Sequence, residues 1–338
     1  PRAQWYAIAA DDEVGRGLLS RTVAGEHLVV FRTEDGAPVA LADRCSHRNY
    51  PLSAGTLVGD EIQCGYHGVR FDACGRCTWV PGQDRIPSRA DVPTRPLVRR
   101  GPWLWVWMGD PSEPDESRLP AMPWADPDET TWATVHGMEP LAARFGLLVD
   151  NLLDLSHETF LHAGYIGTPE VAETPITTDF DESHPVVRVS RRMEGVECPP
   201  FYAESTGLQS PIDRWQDIEY HAPGCYLLHV RVAPAGSVPA DDGTDPDAAR
   251  VEVMYAITPV DDHHTLDFWS VSRNFAVDDP EMSAFFAKMN RDVVLQDVEA
   301  LELIERRLGD EWQPVEVSFK IDTGALAARR LVASLLER

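Results

Sequence analysis

Residues 45–72 read CSHRNYPLSAGTLVGDEIQCGYHGVRFD, and this stretch decides the fold of the first part of the chain. It holds two pairs of side chains that bind metals, Cys45 with His47 and Cys64 with His67. Sixteen residues separate the two pairs, and each pair lies in a turn-rich loop that leaves a predicted strand. The spacing therefore predicts that two loops come together around one metal centre.

The order of these ligands distinguishes two kinds of site, tetrahedral zinc and a Rieske [2Fe–2S] cluster. In a Rieske cluster one iron takes two thiolates and the other takes two imidazoles, so each loop supplies one ligand to each iron. Structural zinc sites more often keep like ligands together. The alternation of Cys and His favours the Rieske cluster, with zinc as the alternative. We expect Gly55, Gly65 and Gly68 to let main-chain amides approach the sulfurs.

The sequence around the loops predicts a small all-β domain over residues 1–110. Short apolar runs such as HLVVFR (27–32) and WLWVWM (103–108) alternate with turn signals. Residues 111–130 are rich in proline and acids and lack periodicity, which is typical of a linker. The second domain is then expected over residues 131–338.

The second domain is predicted to be α+β. A helix over residues 141–162 precedes strand-like runs such as CYLLHVRVA (225–233) and RVEVMYAIT (250–258). The chain then becomes helical up to about Leu308, and a last helix covers residues 323–337. We expect an antiparallel sheet covered by helices, with a mobile loop at residues 234–249.

Composition narrows the possible partners and location. The chain has 338 residues, a formal net charge of −25 and a pI of about 4.7, so nucleic acid and anionic membranes are poor partners. No apolar run approaches the roughly 20 residues of a membrane span. Residues 1–17 contain no long apolar segment typical of secretion, and the six cysteines are few for this length. We expect a cytoplasmic protein.

The metal-binding pattern resembles that of the Rieske non-haem iron oxygenases, in which C-x-H and C-x2-H are followed by N-x2-D-x2-H-x4-H in a second domain. Here the second motif is Asn151, Asp154, His157 and His162. Within the family, DNLLDLSHETFLHAGYIG (150–167) and SRNFAVDD (272–279) are most similar to vanillate O-demethylase oxygenase components and related aromatic O-demethylases. The resemblance implies a Rieske [2Fe–2S] domain followed by a catalytic domain of the helix-grip type.

The resemblance also implies that His157 and His162 are ligands of a mononuclear iron(II), in a triad of two histidines and one carboxylate that leaves positions open for dioxygen. On a regular α-helix, residues five apart point about 140° away from each other. We therefore expect the helix to distort or end near Thr159–Phe160. The alternative is a pair of core histidines bonded to main-chain carbonyls.

Asp297 is the expected third ligand. It shares one helical stripe with Leu301, Ile304 and Leu308, so it should face the core, where a carboxylate needs a cation. Asp292 lies on a wetter face of the same helix. The resemblance agrees, because the family's ligand Asp precedes an apolar and acidic helix like this one.

Three further roles follow from the resemblance. Asp154 is expected to orient His157 and to contact His67 of a neighbouring chain, bridging the two metal centres. Asn151 is expected near the iron without binding it tightly. Tyr255 is expected to line the substrate pocket, with plain core packing as the alternative.

The function that the resemblance implies is that of a terminal oxygenase, dependent on O2 and on NAD(P)H through a flavin or ferredoxin-type reductase or a ferredoxin. The expected reaction is O-demethylation of a methoxylated aromatic acid or phenol, with release of formaldehyde. The alternatives are hydroxylation, N-demethylation or desaturation of another ring compound, and a non-catalytic Rieske electron carrier.

Two expectations concern assembly. Residues 43–100 contain nine arginines against six acids, so a locally basic surface should guide an acidic electron-transfer partner. The family arrangement implies a homotrimer, a head-to-tail ring in which each cluster faces the iron of the next subunit.

Overall fold

The structure, a computed structural model, describes residues 3–126, 129–181, 186–240, 244–245, 248–312 and 314–336. The chain forms two compact units. The N-terminal unit runs up to Leu119 and includes the short segment Thr258–Asp261. The C-terminal unit holds the rest of the chain from Pro120 onward.

The N-terminal unit is built from short antiparallel strands. They form three sheets, in the orders β1-β11-β10, β2-β3-β4-β9 and β5-β6-β7-β8. The strands are β1 (Trp5–Ala10), β2 (Leu19–Val23), β3 (Glu26–Arg32), β4 (Pro38–Ala42), β5 (Thr56–Val58), β6 (Glu61–Gln63), β7 (Arg70–Phe71), β8 (Cys77–Trp79), β9 (Thr94–Arg95), β10 (Leu97–Arg100) and β11 (Trp103–Trp107).

Strand β3 explains why residues 28–31, LVVF, are apolar without a break. Successive side chains of a strand point to opposite faces. Leu28 and Val30 pack into one hydrophobic core of this unit, whereas Val29 and Phe31 pack into a second core that also contains Cys45 and Cys64. Because the middle of β3 is covered on both faces, it has apolar residues at four successive positions, 28–31. The second core supports the cysteine loops from below.

The C-terminal unit contains one seven-stranded sheet. Its order is β12-β18-β17-β16-β15-β14-β13, so the first strand, β12, lies at one edge of the sheet and pairs with the last strand, β18. Neighbouring strands pair antiparallel, with Gln216 opposite Val230 as one example. The strands are β12 (Ala133–Leu141), β13 (Thr177–Asp181), β14 (Val186–Val196), β15 (Ile212–His221), β16 (Cys225–Pro234), β17 (Ala249–Pro259) and β18 (Thr265–Arg273).

Six helices accompany this sheet in the described part of the chain. Apolar side chains from the longer ones, such as Leu152, Phe286 and Ala328, share one core with sheet residues such as Val230 and Trp269. The helices are α1 (Phe145–Leu153), α2 (Glu158–Leu161), α3 (Pro169–Glu173), α4 (Pro200–Thr206), α5 (Pro280–Leu308) and α6 (Thr323–Leu336). Across the described residues, every helix is too short or too polar to cross a lipid bilayer.

Local signals set the ends of the long helix α5. The Asp279 side chain accepts hydrogen bonds from the main-chain N–H groups of Glu281 and Met282, and Pro280 occupies the first helical position. At the other end, Gly309 adopts φ +52° and donates its N–H to the carbonyl of Glu305. These caps fix the length of the helix that carries Asp297.

The predicted α+β class, with an all-β first domain and a helix-covered antiparallel sheet, is confirmed. The single helix predicted over residues 141–162 is wrong, because the chain leaves helical geometry at Asp154. Part of the predicted linker bonds to the N-terminal unit, since Arg118 donates to the Ala3 carbonyl at 2.8 Å. The predicted domain limits at residues 110 and 130 stay predictions. The predicted mobile loop lies partly outside the described residues, at 241–243 and 246–247.

Candidate metal centres

The first loop of the N-terminal unit, Cys45–Tyr50, closes on itself. The N–H of Cys45 donates to the carbonyl of Tyr50 at 2.9 Å, and the N–H of Asn49 donates back to the carbonyl of Cys45 at 2.9 Å. Asn49 takes the left-handed conformation, with φ +58°, which asparagine tolerates better than most residues. The closed turn holds the Cys45 thiol at a fixed place beneath the loop.

The second loop, Cys64–Val69, repeats this geometry. The N–H of Cys64 donates to the carbonyl of Val69 at 2.8 Å, and the N–H of Gly68 donates to the carbonyl of Cys64 at 2.9 Å. Gly68, at φ +79°, takes the position that Asn49 has in the first loop. Two loops of matching geometry thus present equivalent cysteines.

The four predicted cluster ligands divide into a buried and an exposed pair. Cys45 and Cys64 are buried, and burial raises the pKa of the Cys45 thiol, with Cys64 beside it adding to the effect. His47 and His67 are exposed, and their ring centroids lie 4.6 Å apart. A pair of buried thiols needs metal ions to become thiolates at neutral pH. The thiol pair inside and the imidazole pair outside fit the donor set of a Rieske cluster.

A second set of metal ligands meets in the C-terminal unit. Nε2 of His157 and Nε2 of His162 lie 3.5 Å and 3.3 Å from Oδ1 of Asp297. All three ligand atoms lie within 4.8 Å of one another. We call His157, His162 and Asp297 the iron triad. Two imidazoles and one carboxylate that converge in this way match the donor set that non-haem iron(II) takes.

The other ring nitrogens of the iron triad are already occupied. Nδ1–H of His157 donates to the main-chain carbonyl of Asp154 at 2.6 Å, and Nδ1–H of His162 donates to Oε1 of Gln296 at 2.7 Å. These bonds fix the tautomer that leaves both Nε2 lone pairs directed at the centre. Burial alone would lower the pKa of His162, but the Asp297 carboxylate outweighs it and raises that pKa. The centre attracts positive charge.

The chain reaches this arrangement by breaking the helix twice. Helix α1 ends at Leu153, Asp154 adopts φ −123° and ψ 88°, and a turn of 3-10 helix follows over Leu155–His157. Helix α2 then ends at Leu161, and His162 leaves helical geometry at φ −104° and ψ 25°. The end of α2 lies one residue beyond the predicted place, whereas the break at Asp154 was not expected. Both histidines flank a single helical turn and converge.

Asp154 touches His157 in a different way from the one predicted. The contact is made by its main-chain carbonyl, while its carboxylate Oδ1 accepts the N–H of Ser156 at 3.0 Å and caps the 3-10 turn. Asn151 donates from Nδ2 to Oδ1 of Asp297 at 3.0 Å, and its own Oδ1 is buried without a hydrogen-bond partner among the described residues. Asn151 therefore positions the carboxylate of the iron triad.

Asp297 projects from the buried side of α5 and is 5% exposed. Leu301 is buried beside it, as predicted, but Ile304 is 43% exposed and Glu305 takes its place in the buried stripe. Glu305 can be buried because it pairs with Arg144, with Nε and Oε2 2.7 Å apart. The pattern of apolar residues alone could not reveal a stripe that ends in an ion pair.

One cavity of the C-terminal unit includes the iron triad in its wall, and we call it the triad cavity. Tyr255 lines it, where the sequence placed it, and so do apolar side chains from α1, α5 and the sheet. Several polar side chains of the wall were missed, because only the folded chain brings them to the triad. These are Glu158, Tyr202, Tyr226 and Asn290.

A cation in the wall of the triad cavity would bear on the choice of substrate, and the C-terminal unit contains several arginines. Of these, only Arg214 lines the triad cavity among the described residues. Other candidate cations bond elsewhere: Arg144 to Glu305, Arg188 to Glu219, Arg231 to Asp217 and Arg273 to the carbonyls of Ala276 and Asp279.

All six cysteines carry free thiols, and Cys74 is exposed whereas Cys77 is buried.

Comparison with known proteins matches both halves of the chain. Residues 4–92 match the Rieske [2Fe-2S] domain, and residues 141–338 match the vanillate O-demethylase oxygenase C-terminal domain. The vanillate O-demethylase oxygenase subunit of Pseudomonas sp. strain HR199 is 32% identical over 99% of this chain and 95% of its own length.

Two further relatives act on or bind dicamba. The oxygenase component of dicamba O-demethylase from Stenotrophomonas maltophilia is 32% identical over 90% of this chain and 88% of its own length. The crystal structure of dicamba monooxygenase bound to 3,6-dichlorosalicylic acid superposes with a TM-score of 0.90 at 28% identity, covering 99% of this chain and 97% of that one.

Proposed function

We propose that this chain O-demethylates a methoxylated aromatic acid or phenol, because it belongs to the Rieske non-haem iron oxygenases with a catalytic domain of the vanillate O-demethylase type. It is the oxygenase component of a Rieske monooxygenase, and its cofactors are a [2Fe–2S] cluster and a mononuclear iron. The observation that carries the proposal is the iron triad in the wall of a largely apolar cavity.

The ligand assignments form part of the proposal. Cys45 and Cys64 would hold one iron of the cluster, and His47 and His67 would hold the other. The iron triad would hold the mononuclear iron. When bound, the cluster supplies electrons one at a time and the mononuclear iron activates dioxygen.

The chain's own residues prepare the triad for its metal. Asp154 and Gln296 keep the two imidazoles in the tautomer with free Nε2 atoms. Asn151 holds the Asp297 carboxylate by a hydrogen bond to Oδ1. The apolar wall excludes water from the place where the substrate methyl group would lie.

The proposed reaction converts an aryl methyl ether into a phenol. One oxygen atom of O2 enters a C–H bond of the methyl group, and the other leaves as water with two electrons from NAD(P)H and two protons. The resulting hemiacetal breaks its bond between carbon and the aryl oxygen, and releases formaldehyde. Aromatic walls and aliphatic side chains suit the ring of such a substrate.

Formaldehyde release tests this proposal. The holoenzyme is combined with a reductase, NADH and a set of methoxybenzoates and methoxyphenols. We expect formaldehyde and the matching phenol in equal amounts from at least one of them. His157→Ala should abolish product and leave about two of about three iron atoms per chain. Asp292→Asn is the control and should retain both, because Asp292 is half-buried on α5, pairs with Lys288 and does not line the triad cavity. Full oxygen uptake and product from another ring compound, with no formaldehyde from any ether, would oppose O-demethylation.

An oxygenase component needs a redox partner, a reductase or a ferredoxin. We propose that a flavin or ferredoxin-type partner docks beside the exposed His47 and His67. Arg89 lines the hollow that these two histidines share. Among the described residues, four arginines of this region have no carboxylate within ion-pair distance, namely Arg44, Arg48, Arg85 and Arg89. Their free charge supports attraction of an acidic partner.

We further propose a homotrimer in the cytoplasm. The half-buried Asp154 carboxylate uses one oxygen to cap its own turn, which leaves the second oxygen for His67 of a neighbouring chain. Six free thiols suit a reducing compartment. The domain limits 1–110, 111–130 and 131–338 belong to the same proposal.

A further inference from the structure

The charge in the wall of the triad cavity bears on the class of substrate. Among the described lining residues, Arg214 is the only arginine or lysine. It is 2% exposed, and its Nη2 donates to Oε2 of Glu158 at 3.0 Å, while Nη1 donates to the carbonyl of Ile166 at 2.9 Å. The guanidinium also lies over the ring of Tyr202, 5.1 Å from its centroid. Its charge is therefore already neutralised.

Glu158 is held in this pair by more than one partner. Gln216 donates from Nε2 to both carboxylate oxygens, at 3.0 Å and 3.1 Å. Gln216 is fixed in turn by Arg191, which donates from Nη1 to its Oε1 at 3.2 Å. Glu158 is 3% exposed. Because Arg214 and Glu158 are both buried, Arg214 cannot leave Glu158 for a substrate carboxylate without leaving a buried charge unpaired.

Three polar groups of the same wall have no hydrogen-bond partner among the described residues, and one of them, Nε of Arg214, belongs to the neutralised ion pair. The hydroxyl of Tyr226 and Nδ2 of Asn290 are buried and have no hydrogen-bond partner among the described residues. Tyr226 is 1% exposed, and burial raises its pKa well above its ordinary value, so the hydroxyl stays protonated. Tyr226 and Asn290 can each donate a hydrogen bond, and a buried donor without an acceptor is unfavourable.

We propose that the triad cavity selects an uncharged methoxylated ring that carries an oxygen acceptor, and that Tyr226 and Asn290 donate to this acceptor. This inference rests on the proposed O-demethylation and decides between its two substrate classes in favour of the phenol. The methoxy carbon has to lie beside the metal, so the remaining ring substituent meets the rest of the wall. A carboxylate there would be desolvated without a free cation.

A pair of isosteric compounds tests the inference. 4-Methoxybenzoate and 4-methoxybenzamide have the same shape and differ by one charge. Formaldehyde release and binding by calorimetry are measured for both with the holoenzyme. We expect the amide to exceed the benzoate at least tenfold in kcat/KM and in affinity. Equal or better binding of the benzoate would overturn the inference. If neither compound releases formaldehyde, the two affinities alone decide the question of charge, and O-demethylation is judged by the wider set of ethers.

Variants identify the groups responsible. Tyr226→Phe and Asn290→Leu should each lower the ratio of kcat/KM for the amide to that for methoxybenzene about tenfold, because methoxybenzene offers no acceptor beyond the ether. Glu158→Gln releases the charge of Arg214 and should bring the preference for the amide over the benzoate to parity or reverse it. An unchanged ratio in all three variants would refute the assignment. Because the wild-type comparison stands alone, misfolding of one variant does not affect it.

Discussion

Asp297 shows how a single side chain is positioned for a metal. Its Oδ1 lies within 3.5 Å of three nitrogen atoms, one from each of His157, His162 and Asn151. The two histidines direct Nε2 at the carboxylate because their Nδ1 atoms are engaged elsewhere. The triad is thus preorganised by bonds outside the ligand set, which is the usual basis of tight metal binding.

Gln296 should be a positioning residue for the mononuclear iron. Gln296→Leu removes the acceptor that fixes the tautomer of His162, and we expect iron(II) affinity at the triad to fall about 10–100-fold. The measurement is an iron titration of protein whose cluster content is monitored by visible absorbance. Gln296→Glu restores an acceptor and should recover most of the affinity. Wild-type affinity in the leucine variant would contradict this role.

Asp267 should make stability depend on pH. It is 2% exposed, and burial, followed by the nearby Asp297 and Glu139, raises its pKa well above the ordinary 3.8. A carboxyl group whose pKa is higher in the folded than in the unfolded protein makes its full contribution to folding stability below the unfolded-state pKa. This contribution is lost as the pH rises toward the folded-state pKa. Asp267→Asn should therefore gain stability over wild type, more at pH about 8.5 than at pH about 5.5. Thermal unfolding at both pH values measures this gain, with Asp292→Asn as the control. A stability difference between Asp267→Asn and wild type that does not change with pH would contradict the prediction.

At the residue scale, the sequence located the residues that meet at the iron triad better than the residues that support them. Cys45, His47, His157 and their partners sit in motifs with fixed local spacing, and the structure brings His157, His162 and Asp297 together. Gln296 and Tyr226 carry no such pattern. Their roles arise only when α5 and β16 meet the triad.

In the C-terminal unit, the interrupted helical segment from α1 to α2 brings the two histidines of the iron triad together. Its helical pieces are too short to be stable alone, and they depend on the core beneath them. Arg144 stands at the start of α1 and joins it to the end of α5 through Glu305 and the carbonyls of Gly309 and Glu311. Burial would raise the pKa of Glu305, but Arg144 and His263 outweigh it and hold it at about 2.

Arg144→Ala should destabilise the protein without changing substrate selection. Removing the partner of a buried carboxylate costs about 3 kcal/mol. The Arg144 side chain is not among the lining residues of the triad cavity, so KM per folded molecule should stay the same. Chemical unfolding and steady-state kinetics separate the two effects. Arg306→Ala, which breaks an exposed pair with Glu302, is the matched control. A raised KM at normal stability would instead assign Arg144 to the substrate.

At the element scale, segments of regular periodicity could be predicted from the sequence, whereas the irregular backbone could not. Strands such as β16 and the helices α5 and α6 lie close to where the sequence predicted them. The break at Asp154 runs against an apolar helical pattern. It arises because the Asp154 carboxylate bonds the N–H of Ser156, a local competition that the pattern does not record.

At the scale of the whole molecule, the proposed ring requires a residue that serves two subunits, and we propose Asp154 for this role. Asp154→Asn keeps an oxygen for the cap on Ser156 but loses the negative charge, whereas Asp154→Ala loses both. We expect both variants to keep their irons and the trimer and to lose nearly all turnover. Iron analysis, light scattering and product formation per cluster oxidised are the measurements. Normal coupling in either variant, or a fully active monomer at high dilution, would argue against the ring.

Strand β3 has a consequence for how the N-terminal unit unfolds. One face of this strand belongs to the second core, which contains Cys45 and Cys64, and the other face belongs to the first hydrophobic core. Because a single strand packs into both cores, unfolding of one core disrupts the other, and neither core can unfold while the other remains native. Loss of the cluster would therefore loosen the whole unit cooperatively, and the protein would lose electron supply and its N-terminal fold in one transition.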